Sequence, residues 1–285
     1  MSQAYALHEG AFGRVVVLEL RDDLVAHAHA ETQFAFWLGG GRVQAHLGNG
    51  EVVQYSEDVA LGTNAYESHD ARLLDKDTAA MFLIFYISKA WLDERRAASG
   101  RTFFFPSPHV PISPALRQAC WRLLDIVMSP HHPLRHRIEF EVESLVGVAI
   151  DATLAPVHPA ATRRPAPLLD HRLRAAIAYM RAHVAEPISV EDVAGKVGLS
   201  RAHFFSLFRD QLSTTPQVFW SAVRVEEVVR RLVMREEPLT SVAMELGFSS
   251  PGNFSRFFKE HMGVSPSQYR RVAATPEAHP ITGVP

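Results

Sequence analysis

Over residues 12–88 the apolar positions come in short bursts broken by glycine. Val15–Leu20, Phe34–Leu38, Val43–Leu47, Val52–Tyr55 and Met81–Ile87 are β-branched or aromatic runs, and Gly39-Gly40-Gly41, Gly48-Asn49-Gly50 and Gly62-Thr63-Asn64 punctuate them. Such side chains fit a pleated, half-buried surface, and glycine lets the chain reverse between strands. The spacing predicts a sandwich or barrel of short strands. From residue 89 the period lengthens to that of a helix. Ser113 and Pro114 open one helix, predicted to run to Met128 and to end at Ser129-Pro130-His131-His132-Pro133. Leu134–Leu154 is predicted as the next, with Ile138, Val142, Leu145, Val146, Ala149 and Thr153 on one stripe. That stripe must be buried against the barrel or against a second copy of itself. Ala155–Leu168 carries four prolines and no apolar period and reads as an extended linker.

The most informative stretch is Thr240–Lys259, TSVAMELGFSSPGNFSRFFK. Val242, Ala243 and Leu246 form an apolar stripe, Gly247 supplies the left-handed backbone of a helix stop, and Ser250 with Pro251 opens a second helix. Phe254, Phe257 and Phe258 then fall on one face. At about 100° per residue, Arg256 points away from them. A short helix that buries rings and offers a fixed positive charge on its other side has the build of a helix-turn-helix reader in a DNA major groove. Ser189–Arg209 repeats the pattern: Val193, Ala194, Val197, Gly198 and Leu199, then Ser200, Phe204 and Phe208, match their counterparts about fifty residues on. Between the copies, Pro216–Met234 reads as one long helix. Nineteen helical residues span about 28 Å, compatible with two readers about one turn of B-DNA apart, roughly 34 Å.

Charge follows the same division. The whole chain has a net charge of −2, but residues 1–162 hold 13 Lys/Arg against 19 Asp/Glu, and residues 163–275 hold 16 against 11. A basic half joined to an acidic half fits one DNA-binding part and one part with another task. Cys120 is the only cysteine, which excludes an intrachain disulfide and a thiolate metal cluster. The first twenty residues carry Glu9 and Glu19 and lack a cleavable apolar core, and the longest apolar run, Ala79–Ile87, falls far short of the ~20 residues of a membrane span. A soluble, cytoplasmic protein without a membrane partner is expected.

Residues 170–271 resemble the DNA-binding domain of the AraC/XylS family of bacterial transcription regulators. The resemblance rests on Ala194, Gly198, Ser200 and Phe208 in the first half. In the second half it rests on Ala243, Gly247-Phe248-Ser249, Phe254, Arg256-Phe257-Phe258-Lys259, Gly263, Pro266 and Tyr269-Arg270. It implies seven helices, two helix-turn-helix units and promoter binding, with no enzymatic activity. The expected architecture is a two-domain α+β chain. Residues 1–154 would form a cupin-like β-barrel with a helical pair, for ligand binding and dimerisation; residues 155–168 a linker; residues 169–274 an all-α double helix-turn-helix domain; and residues 275–285 a disordered tail. The resemblance further implies a homodimer, a small-molecule effector and contact with RNA polymerase.

In the amino-terminal half, His27-Ala28-His29, Gln33 and, some forty residues on, His69 resemble the cupin pattern, in which two His, a Glu and a later His can hold a divalent metal. Alternate strand residues share a face, so His27 and His29 can both point inward. Imidazole suits Zn, Fe, Ni or Cu. Gln33 stands where the cupin carboxylate would be, and Glu31 shares the face of His27 and His29 if the strand is regular. The three histidines are thus either possible ligands of a divalent metal or hydrogen-bonding residues at a pocket mouth. His27, His29, Gln33, Trp37 and His69 are the expected ligand-binding set. Phe34, Phe36, Tyr55 and Tyr66 are candidate walls beside Trp37.

On the readers, Arg201, Arg209, Lys259 and Arg270, with the helix amino ends at Ser200 and Ser250, are the expected phosphate contacts. Arg256 is the expected base reader, because arginine can bond guanine O6 and N7 together, with Gly252 and Asn253 beside it. The first reader presents Ala202, His203 and Ser206, with Phe205 at its edge. Many family members carry arginine where Ser206 stands, and serine cannot make that paired contact.

Overall fold

The computed structural model describes residues 2–99, 104–129, 135–154, 169–234 and 237–274. The linker at 155–168 with Arg163 and Arg164, the His131-His132 turn, the Thr153 side chain and the tail at 275–285 lie outside the described residues. The amino-terminal half holds β1 (Gln3–Gly10), β2 (Gly13–Leu20), β3 (Leu24–His27), β4 (Thr32–Gly40), β5 (Val43–His46), β6 (Val52–Gln54), β7 (Val59–Thr63), β8 (His69–Leu73) and β9 (Ala80–Ile87). It continues through α1 (Lys89–Ser99), β10 (His109–Pro111), α2 (Pro114–Met128) and α3 (Arg135–Leu154).

The strands form two antiparallel sheets, ordered β1-β2-β9-β4-β7-β10 and β3-β8-β5-β6. The long apolar run becomes β9, buried along its whole length. Its alternation serves both faces of the larger sheet. Phe82, Ile84 and Tyr86 point between the sheets with Leu18, Ala45, Val53 and Leu73. Leu83, Phe85 and Ile87 point outward with Val15, Val17, Phe34 and Phe36. A closed barrel was expected. Among the described residues the two sheets remain separate ladders, because the chain leaves β6 through a turn at Ser56–Asp58 and enters β7 in the other sheet. Strands of a sandwich switch sheets at such corners.

The outer face of the larger sheet is covered by α2 and α3. Ser113 caps α2, its Oγ accepting from the Leu116 amide at 3.1 Å, and Pro114 follows where its missing N–H costs nothing. The predicted α3 stripe, Ile138, Val142, Leu145, Val146 and Ala149, is buried with Leu116, Leu123 and Phe85. It is therefore committed to the sandwich.

The carboxy-terminal half contains α4 (His171–Ala182), α5 (Val190–Lys196), α6 (Arg201–Leu212), α7 (Pro216–Met234), α8 (Leu239–Glu245), α9 (Pro251–Met262) and α10 (Pro266–Ala274). Its apolar residues fall into two cores. Phe204, Phe208, Phe219, Leu173 and Val193 close the first. Val228, Leu232, Val242, Leu246, Phe254, Phe258, Met262 and Tyr269 form the second, which is continuous with the interior between the sheets. The first helix pair thus has a core of its own, and the second shares one with the sandwich.

The seam has specific contacts. Leu18, Leu20 and Leu24 surround Gly263, the left-handed residue that ends α9 at φ 76°. Asp22 pairs with Lys259 at 3.0 Å, and that ammonium holds the Asp22 carboxyl below the usual range. Tyr66 stacks on Phe219 at 4.6 Å and its hydroxyl bonds Arg181. Gly48 lies against the Ser213 carbonyl, where a Cβ would stand 2.3 Å from the oxygen.

Phe258→Ala and Phe208→Ala each remove a fully buried ring, at an expected cost of about 3–5 kcal/mol. In urea melts followed by circular dichroism, Phe258→Ala is expected to lower the midpoint of the whole transition. Phe208→Ala is expected to give a separate, earlier loss of helix signal from the α4–α6 region.

Candidate DNA-reading surface and effector cavity

Each helix pair is built from local signals. In the first, Ser189 and Asp192 form a reciprocal capping box at the start of α5, and Gly198 turns the corner at φ 68°. Ser200 then accepts from the His203 amide at 3.3 Å. In the second, Gly247 turns the corner at φ 69° and Ser250 accepts from the Asn253 amide at 3.1 Å. Both corner glycines adopt a backbone that a side chain resists. Phe204 and Phe208 of α6, and Phe254 and Phe258 of α9, are fully buried. Burial of these rings sets which face of each helix is left to solvent.

On α6 that outer face holds Arg201, Ala202, His203, Ser206 and Arg209, all exposed, with Phe205 half-buried. Acidic groups temper it. Arg201 pairs with Glu191 at 2.8 Å while its guanidinium lies 5.2 Å from the Phe205 ring centre, and Ser206 donates to Asp210 at 3.0 Å. On α9 the outer face holds Gly252, Asn253 and Arg256, also exposed. Asn253 donates to Ser249 Oγ at 2.6 Å, and Arg256 donates to Asn253 Oδ1 at 3.4 Å.

Two of the expected phosphate contacts are used inside the protein. Lys259 is half-buried against Asp22 of the sandwich. Arg270 turns from the surface and donates to the Glu237 carbonyl at 2.6 Å, because α10 is packed between β1 and α7. Sequence reasoning missed Arg224. It caps the Leu246 carbonyl at 2.7 Å and lies 4.0 Å from the Phe248 ring centre, bracing the second corner from behind. Its spacing from Phe248 carries no local signal.

Between the sheets lies a small pocket lined by His27, Gln33, Tyr55, His69, Tyr86 and apolar neighbours. His261 and Met262, from the end of α9, complete the wall. The sandwich interior is therefore closed by the second reader helix, which no sequence spacing indicated. Trp37 does not line this cavity; its indole donates to the Gly41 carbonyl at 3.2 Å beside a register shift in β4. Phe34 and Phe36 face the helices on the other side of the sheet, and Tyr66 faces α7. Tyr55 is a wall as expected.

The three histidines come together. His27, His29 and His69 are buried, with ring centres 4.9, 4.4 and 5.3 Å apart and ligand nitrogens all within 4.8 Å of one another. Burial first, and for His27 and His29 their imidazole neighbours next, push these two well below the ordinary histidine range; burial likewise lowers His69. Gln33 lies on the same wall and accepts from Thr63 at 3.4 Å. Glu31 does not join them. The strand stops at His27, and Glu31 pairs with buried Arg14 at 2.6 Å, whose guanidinium lies 4.2 Å from the Tyr86 ring centre.

Comparison with known proteins agrees with this arrangement. A family model described as a helix-turn-helix domain matches residues 193–272. The probable transcriptional regulator LumQ of Photobacterium leiognathi is 32% identical over 92 residues, covering 32% of this chain and 37% of that protein. The uncharacterized HTH-type transcriptional regulator YobQ of Bacillus subtilis is 34% identical over 96 residues, covering 34% and 40%. The chain thus spans about two-fifths of the length of these curated relatives. Over nearly its whole length the fold is similar to that of ToxT from Vibrio cholerae, with a TM-score of 0.55, 12% identity, and 92% of this chain and 98% of that chain covered. Another structure of ToxT is of its unsaturated fatty acid-bound form, with a TM-score of 0.57, 14% identity, and 90% and 94% covered. Residues 193–272 are thus a helix-turn-helix domain similar to those of the AraC-type transcriptional regulators, and the fold over nearly the whole chain is similar to that of ToxT.

Proposed function

We propose that the protein is a transcription regulator that binds promoter DNA through α6 and α9 and is controlled by a small molecule held between its sheets. The observation that carries this reading is the pair of capped, glycine-cornered helices, each burying its rings and turning a polar face outward. Arg256 is the principal base reader, with Asn253 and Gly252 beside it. Arg201 and Arg209, with the amino ends of α6 and α9 at Ser200 and Ser250, contact phosphate and make binding salt-sensitive. Ala202, His203, Phe205 and Ser206 form the first, weaker reading face. Lys259 reaches phosphate only after releasing Asp22, and Arg270 serves the fold.

The front half, residues 1–154, acts as a cupin-like sensing and dimerising unit, tethered through 155–168 to the DNA-binding unit at 169–274. The cavity lined by His27, Gln33 and His69 is its effector site, and its three histidines are also donors on offer to a divalent cation. The fatty acid bound by ToxT supports an effector site in a fold of this type. A homodimer and contact with RNA polymerase complete the reading.

The asymmetry of the readers gives a direct test. On one cognate operator, Arg256→Ala is expected to cost about 1–3 kcal/mol, roughly 5- to 160-fold in Kd. Ser206→Ala is expected to cost under about 1 kcal/mol. Equal losses in a fluorescence anisotropy titration contradict the assignment. For the cavity, a metabolite that binds is expected to raise Tm, by an amount equivalent to about 2.7 kcal/mol at a concentration of 100 Kd. A broad metabolite screen by thermal shift checks this, and a screen without a single rise counts against an effector.

A further inference from the structure

We propose that Asn253 is a positioning residue for Arg256: its side-chain amide holds the guanidinium in the orientation that reads guanine, and does not itself read a base. This rests on the reading of Arg256 as the base reader and deepens it, by naming what fixes that reader's aim.

Asn253 is the third residue of α9, and its backbone N–H is taken by the Ser250 cap at 3.1 Å. Its side chain makes two further bonds. Asn253 Nδ2 donates to Ser249 Oγ at 2.6 Å, and Asn253 Oδ1 accepts from Arg256 Nη2 at 3.4 Å. A guanidinium only donates, so the amide atom that faces Arg256 is the oxygen, and the nitrogen is left to the Ser249 hydroxyl. The two neighbours together settle which way the amide points. Residues three apart are neighbours on a helix surface, so the bond to Arg256 needs no distortion of α9. An asparagine that reads adenine spends both amide atoms on the base. Here both atoms are committed to the protein, one to the corner and one to the next turn of the helix.

The partner's chemistry matters as much as its place. Arginine has a long side chain whose rotamer freedom is lost on binding. A group that holds it beforehand removes part of that cost. A carboxylate would hold it more tightly, as Glu191 holds Arg201 on the first reader at 2.8 Å, but would cancel the charge that faces the duplex. Among the described residues no carboxylate pairs with Arg256, and Glu260, one turn on, leaves it to Asn253. The amide is neutral. It orients Arg256 and leaves the full positive charge, with the remaining N–H donors, for guanine O6 and N7.

The test uses the purified full chain and a randomised library of DNA duplexes. Bound duplexes are sequenced for the wild type, Asn253→Ala, Asn253→Asp, Arg256→Ala and the variant carrying both alanines. The wild type is expected to enrich guanine at one position, and Arg256→Ala to lose that enrichment. Asn253→Ala is expected to weaken it roughly two- to tenfold at the same position, with the neighbouring positions unchanged. The double variant is expected to match Arg256→Ala. Asn253→Asp keeps the partner's shape, so the guanine preference is expected to stay, while the new carboxylate lowers affinity at every sequence and reduces the salt slope by about one. An asparagine with a merely structural role would shift affinity evenly over all sequences. Both side chains are exposed, so each variant is expected to melt as the wild type does.

Unaltered guanine enrichment by Asn253→Ala overturns the positioning role. So does a preference lost at a second position, which makes Asn253 a reader of its own base, or a further loss in the double variant. Equal loss in Asn253→Asp and Asn253→Ala overturns it as well. An Arg256→Ala chain that still enriches guanine overturns the reader assignment, and the positioning role with it. Loss in Arg256→Ala without an effect of Asn253→Ala overturns the positioning role alone.

Discussion

The arrangement depends on one apolar seam. Leu18 and Leu20 of β2 and Leu24 of β3 meet the end of α9, and Phe258, Met262 and Tyr269 carry the sandwich interior into the second helix pair. Burial of apolar surface contributes roughly 25 cal/mol per Å², so a continuous core of this kind outweighs the surface ion pairs that decorate it. The Asp22–Lys259 pair is half-exposed on both sides and is worth at most about 1 kcal/mol. The seam holds the second reader in place, and the ion pair trims its charge. Releasing Lys259 to a phosphate therefore costs little, whereas moving α9 off the sheets costs core.

The two readers consequently differ in mechanical terms as well as in chemistry. Phe204, Phe208 and Phe219 seal the first on its own core, and its contacts with the sandwich pass through Tyr66 and the close approach of Gly48 to Ser213. The second carries an exposed guanidinium, Arg256, on a helix whose far end closes the cavity. A molecule or ion in that cavity touches α9 itself. No relay across the domain is needed for the cavity to affect α9, because one helix has a wall of the cavity at its carboxy-terminal end and Arg256, the proposed base reader, one turn and a half earlier.

What was legible in the sequence was local. Glycine corners, serine caps and the spacing of phenylalanines are decided within one or two turns, so both helix pairs and their buried rings follow from residue order alone. The short β-branched and aromatic runs that form β2, β4 and β9 were legible for the same reason. What was illegible was set at long range. β1, without a β-branched residue, is a strand because β2 lies beside it. Glu31 was a plausible metal ligand until Arg14, seventeen positions earlier, is seen to take its carboxylate. Arg270 was a plausible phosphate contact until α10 is seen wedged against β1. Trp37 and the α9 wall exchanged roles because the sequence cannot say which element closes a cavity. The barrel proved open for a similar reason, since ladder closure depends on register around the sheet edge and not on strand composition.

The central claim is that the sandwich and the second reader share one core while the first reader does not. Leu20→Ala changes only the sandwich side of the seam, and native-state hydrogen exchange reads each helix separately. Faster exchange of the α9 and α10 amides, with α6 unchanged, is the predicted result. Protection of α9 equal to that of the wild type, or loss spread evenly over α6 and α9, contradicts the account.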